Sequence, residues 1–108
     1  MSKQIRKSSG NVFADLGVKD PEEALVKARL AHVIADAVSG RGLTQTEAAD
    51  FLGIDQPKVS RLVRGQLAGF SIDRLFRFVK LLGSDIEISV VGYARSRHKT
   101  GHMKIAVG

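Results

Sequence analysis

Four stretches of this chain open on a helix-capping signal and close on a glycine, and that punctuation restricts it to short helices that must bury one another. Asp20-Pro21-Glu22-Glu23 offers a capping aspartate, a proline at the first helical position and an acid at the third. The helix it opens runs to about Arg41, where Gly40 and Gly42 end it. Thr44-Gln45-Thr46-Glu47 forms a second capping box for a two-turn helix stopping at Gly53. Asp55 caps a third helix that ends at Gly65, and Ser71 caps a fourth that ends at Gly83.

The apolar residues inside these stretches follow helical spacing. In the first helix Ala24, Ala28, Ala31, Ala35 and Val38 share one face, and Val26, Leu30, Val33 and Ala37 another. A narrow polar stripe of Glu22, Arg29, His32 and Asp36 remains, which predicts burial on two sides. Ala48, Ala49 and Leu52 line the second helix; Val59, Leu62 and Val63 line the third. In the fourth, Ile72, Leu75, Phe76, Val79 and Leu82 form the stripe, and Phe70 with Leu75 makes a hydrophobic staple across Ser71. A further short helix is expected between Asn11 and Gly17, where Val12, Phe13 and Leu16 face the body.

From Ile86 to Tyr93 the period changes to two: Ile86, Ile88 and Val90 alternate with Glu87 and Ser89, which predicts a strand. A strand needs a partner, either Met103 to Val107 of the same chain or the same strand of a second copy, and the latter predicts a dimer. The expected fold is therefore mainly α, four or five helices followed by one C-terminal β-strand. Its 108 residues fit one core, which excludes multidomain enzymes and solenoids.

Composition narrows the function. Hydrophobic residues make up 44% and charged residues 26%, inside the globular range. The absence of cysteine excludes disulfide frameworks, thiolate zinc sites and cysteine nucleophiles. No apolar run approaches a membrane span, and no apolar region follows Lys3, Arg6 and Lys7, so a soluble protein is expected, with the compartment left open by the residues themselves. The net charge of +6 points to an acidic partner such as nucleic acid. The excess peaks in residues 55–83, with six basic and two acidic residues.

The second and third helices have the spacing of a helix-turn-helix, with Gly53 at the tight turn and Ala48 and Ala49 permitting a close crossing. Ile54 and Val59 would hold the angle from below, against Leu43, Leu52 and the first helix. The outward face of the third helix then carries Gln56, Pro57, Lys58, Ser60, Arg61 and Arg64. Gln56 suits two-point pairing with adenine, and Lys58 or Arg61 suits guanine N7 and O6. Arg64, a turn later, suits phosphate, as does Gln45 at the positively polarised start of the second helix.

The stretch from Leu43 through Gly65, LTQTEAADFLGIDQPKVSRLVRG, resembles the helix-turn-helix of Cro/C1-type (XRE-family) regulators. Gly10 to Gly17 and Gly69 to Leu75 are similar to the XRE subfamily that includes HigA-like antitoxins. The resemblance implies a lambda-repressor-like fold and a homodimer on a two-fold-related double-stranded DNA operator. It also implies a bacterial or phage-type repressor of its own operon, cytoplasmic and nucleoid-associated when bound, with a RelE/HigB-like toxin as a further partner. By the same resemblance Gln45 falls where the family contacts phosphate, and Gln56, Lys58, Ser60 and Arg61 fall where its recognition helices reach DNA. Pro57 departs from the family in place of a polar side chain: it can touch a thymine methyl but offers no hydrogen bond.

Other features read more plainly. Arg74, Arg77 and Lys80 form a solvated face of the fourth helix. His32 pairs with Asp36 along the helix surface, and His98 with His102 supplies too few ligands for zinc. No nucleophile elbow, metal-ligand cluster or glycine-rich phosphate loop is present, so the expected mechanism is binding without catalysis, metal or cofactor. An RNA-binding domain is disfavoured because five Phe and one Tyr fall mostly on core stripes rather than on a stacking face. Along the chain this gives a mobile basic arm over 1–10 and a helix-turn-helix domain with its strand over 11–93. A basic tail follows over 94–108, with a possible second short strand. An alternative is a protein-interaction module that neutralises a toxin, with DNA binding secondary.

Overall fold

The computed structural model describes residues 20–92 and 101–107. Four helices follow in order: α1 Pro21–Gly40, α2 Gln45–Leu52, α3 Gln56–Val63 and α4 Ile72–Leu81. Their starts are those the capping signals dictate. Asp20, Thr44, Asp55 and Ser71 are the four N-caps, and each side chain accepts the backbone N–H three residues on. At α2 the box is complete: Glu47 N–H donates to Thr44 Oγ1 at 3.1 Å and Thr44 N–H donates to Glu47 Oε1 at 2.8 Å.

The helix ends follow one chemistry. Leu43 N–H reaches back to the Val38 carbonyl, Gln66 N–H to Arg61 and Ser84 N–H to Val79, each satisfying a terminal carbonyl across a left-handed glycine. Gly53 closes α2 in the same region, with φ 73°. Only there can the chain turn within Gly53, Ile54 and Asp55 and start α3 at once.

α1 packs against α4 and α3, and α2 against α3 and α4, around one apolar cluster. Ile34, Ala48, Val59, Leu62 and Leu75 are entirely removed from solvent, and Leu52 and Phe78 nearly so. The two-sided burial expected for α1 does not occur. Val26, Leu30, Ala31, Ile34 and Val38 form a single buried face, with Val33, Ala35 and Ala37 only partly covered. Ile34 belongs to neither expected stripe and lies at the centre of the actual one, because the other helices all pack on one side of α1. In α4, Phe78 joins Leu75, Val79 and Leu82 in the core, its ring edge-on to Phe70 at 6.4 Å, while Ile72 and Phe76 stay at the margin.

The expected C-terminal strand is not formed. Among the described residues there is no strand: 84–92 is irregular, with Ile88, Val90 and Val91 exposed. The proposed intrachain partner is engaged elsewhere. Residues 101–107 lie against the start of α1, where His102 Nδ1 meets Glu22 Oε2 at 3.0 Å, Met103 N–H donates to Glu22 Oε1 and Ile105 packs on the core margin. Without a second strand the ladder that defines β-structure has no acceptors and donors to pair. The N-terminal arm, the helix over 11–17, Tyr93, and Arg95, Arg97, His98 and Lys99 of the tail lie outside the described residues.

Candidate nucleic-acid interface

The outward face of α3 begins with two exposed residues, Gln56 and Pro57, at the first and second helical positions. Proline is at home there, since its missing N–H would have had no intrahelical acceptor. Lys58, Ser60 and Arg61 are half-buried at the sides of the helix and Arg64 is exposed at its C-terminal end. On the opposite side Val59 and Leu62 are fully buried, so α3 is held against the body and its polar side is turned outward.

Three of these side chains are already engaged. Lys58 Nζ lies 3.6 Å from Asp55 Oδ2, the carboxylate that also accepts the Lys58 N–H at 2.8 Å through Oδ1. Arg64 Nε donates to the Ser60 carbonyl at 3.2 Å, which lays its guanidinium back along the helix. Gln56 Oε1 accepts from Thr46 Oγ1 at 3.3 Å, a contact between the first turns of α2 and α3. Among the described residues the half-buried Arg61 side chain has no hydrogen-bond or ion-pair partner, and its guanidinium carries five N–H donors.

Gln45 is exposed at the first position of α2. The capping box satisfies the Glu47 N–H, and the N–H groups of Gln45 and Thr46 have no intrahelical acceptor, as at any helix start. Together with the helix dipole they favour an anion. The residues expected to touch a ligand thus fall on the exposed starts of α2 and α3 and along α3.

Three features escape a reading of the sequence. Thr46 bridges to Gln56, a contact ten residues apart that only the crossing of α2 and α3 creates. Arg41 donates Nε and Nη2 to the Leu82 carbonyl at 3.3 and 3.2 Å and sits 5.2 Å over the Phe51 ring, tying the end of α4 to the α1–α2 turn. Arg74 is not a solvated charge: its guanidinium stacks over Phe70 and Phe78 at 5.3 and 5.7 Å, whereas Arg77 and Lys80 are exposed as expected. His32 and Asp36 form their surface pair at 3.4 Å. Among the described residues no cluster of metal-ligating side chains is found, and no helix is long and apolar enough to cross a membrane.

Residues 12–91 match a family described as a helix-turn-helix domain. A solved structure assigned to the XRE family of transcriptional regulators is similar to this chain at 37% identity and a TM-score of 0.72, over 83% of this chain and all of the other. No curated protein matches the chain. A core built on four capped helices, a glycine turn between α2 and α3 and these two matches lead to one conclusion: the chain belongs to the helix-turn-helix domain family and, within it, to the XRE type.

Proposed function

We propose that this protein is a sequence-specific DNA-binding transcriptional regulator that acts as a homodimer on a two-fold-related operator and represses its own operon. The observation that carries this reading is the outward face of α3, where Gln56, Pro57, Lys58, Ser60 and Arg61 are presented while Val59 and Leu62 are anchored at full burial. Arg61, with no side-chain partner among the described residues, is the principal base reader, suited to guanine N7 and O6. Gln56 reads a neighbouring purine, and Pro57 packs on a thymine methyl. Gln45 and Arg64 hold phosphates on either side and set the register. Lys58 exchanges Asp55 for DNA, and Ser60 adds a single hydrogen bond. The segments 1–10 and 94–108 act as basic arms flanking the helix-turn-helix domain, and the protein works in the bacterial cytoplasm.

A second reading is favoured by one observation. Ile88, Val90 and Val91 are uncovered, at 73%, 92% and 64% exposure, more apolar surface than an isolated segment leaves in water without use. A protein partner that covers it fits the antitoxin reading, in which the chain neutralises a RelE/HigB-like toxin and DNA binding is secondary.

Fluorescence-anisotropy titration on the duplex just upstream of the gene, against a scrambled duplex at two salt concentrations, separates the two. The regulator binds the upstream duplex more tightly, and its affinity falls steeply with salt as phosphates release their counterions. Equal, weak binding to both duplexes removes the repressor reading. Co-purification of the product of an adjacent toxin gene would then support the second.

A further inference from the structure

We propose that the C-terminal segment 101–107 is exchanged between two copies of this chain, so that the segment of one copy docks on the first turn of α1 in the other and ties the two together. The inference rests on the proposed homodimer and deepens it by naming the surface through which the copies meet.

The docking site is built from the chain's own residues. Both carboxylate oxygens of Glu22 are taken, Oε2 by His102 Nδ1 at 3.0 Å and Oε1 by the Met103 N–H, and Ile105 packs at the margin of the core. Charge agrees with this placement. Asp20, Glu22 and Glu23 make the start of α1 acidic, whereas 101–107 carries His102 and Lys104 and no acid. A side-chain pair, a backbone N–H and an apolar contact thus hold one extended segment, and none of the three depends on which copy supplies it.

The apolar surface left over favours a second copy. Of the seven large hydrophobic side chains exposed among the described residues, five lie on just two segments: Ile88, Val90 and Val91 on 84–92, Met103 and Val107 on 101–107. No hydrogen bond joins these two segments within the chain, and docking of 101–107 on its own α1 leaves all five uncovered. Exchange of an identical element keeps every docking contact and adds the surface between the chains, which makes it a low-cost route to a dimer. Residues 93–100, which connect the two segments, reach roughly 30 Å when extended, enough to carry 101–107 to a neighbouring copy. In the exchanged dimer the two 84–92 segments pass each other about the two-fold axis and cover Ile88, Val90 and Val91. A foreign partner would have to match the acidic turn and the apolar run separately; a second copy brings the matching segment with it.

The chain has no cysteine, so introduced cysteines report the contact without background. Glu23→Cys marks the docking site and Lys104→Cys marks the segment, leaving Glu22, His102 and Met103 in place. The two full-length single-cysteine chains are unfolded together, refolded and treated with a short bismaleimide, both free and on the duplex that the wild type selects. The expected result is a covalent dimer from the mixture, well above what either chain gives alone. Glu22→Gln in the Glu23→Cys chain lowers its yield roughly two- to fivefold, the scale of one exposed ion pair. A second variant carrying both cysteines on one chain reports closure within a chain as a covalent monomer. That monomer without a dimer from the mixture, or neither product, overturns the exchange; sedimentation of the wild type as a dimer in the same buffer then leaves the homodimer standing. A wild type that sediments as a monomer, free and on the duplex, overturns the homodimer as well.

Discussion

Among the long polar side chains on the outer face of α3, Arg61 differs from Gln56, Lys58 and Arg64 in having no hydrogen-bond or ion-pair partner among the described residues. Lys58 must leave Asp55 at 3.6 Å, and Arg64 must lift Nε from the Ser60 carbonyl at 3.2 Å, before either meets DNA. An exposed pair such as Lys58 with Asp55 is worth only about 0–1 kcal/mol, so the exchange is feasible but adds little net energy. Arg61 faces no such exchange, and its planar fork matches two acceptors on guanine at once. Arg61→Ala is therefore expected to cost about 1–3 kcal/mol on the preferred duplex and to relax preference at one base pair. Arg64→Ala should weaken all duplexes alike. Titration of both variants on the selected site and on its single-pair derivatives checks the contrast. An Arg61→Ala protein with unchanged affinity and preference removes Arg61 from the reading set.

At the scale of elements the glycine between α2 and α3 sets the geometry of the site. Gly53 sits at φ 73°, and a Cβ added there would meet nothing within 4 Å, so the strain of a substitution is purely conformational. Gly53→Ala should cost about 1–2 kcal/mol, the penalty of an L-residue in the left-handed region. That corresponds to a fall in melting temperature of roughly 4–8 °C per kcal/mol for a domain of this size. Gly53→Asn should lose less, and calorimetry on the two variants orders them. This element was legible in the sequence, as were the four caps and the helix ends, because each is decided by residues within one turn. The rest was set by which neighbours meet. Ile34 and Phe78 lie off the expected stripes yet fill the core, since the packing direction of α1 and α4 is chosen by the other helices. Arg41 finds Leu82 and Thr46 finds Gln56 only after the chain has folded. The alternation from Ile86 to Val90 is a true period of two, but a period cannot supply a partner, and residues 101–107 have gone to Glu22.

At the scale of the whole molecule the size of α3 bears on how many copies must act. Specific DNA binding exceeds non-specific binding by about 4–10 kcal/mol in typical regulators. One α3 has eight residues and two proposed base readers, Gln56 and Arg61, and a good bidentate pair is worth about 1–3 kcal/mol of discrimination. A single copy therefore supplies only the lower part of that range, and a second copy on a two-fold-related half-site doubles it. Two such helices reading one face of the duplex need half-sites one helical turn apart, about 34–36 Å, or a multiple of that. Inserting five base pairs between the half-sites turns the second half-site to the far side of the DNA. Affinity should then fall on the order of a hundredfold, to that of an isolated half-site, and ten inserted pairs should restore part of it. Titration of the three duplexes at one salt concentration reads this directly, with sedimentation giving the number of chains bound. Equal affinity for the original and the five-pair insertion, with one chain per duplex, would show that a single α3 suffices.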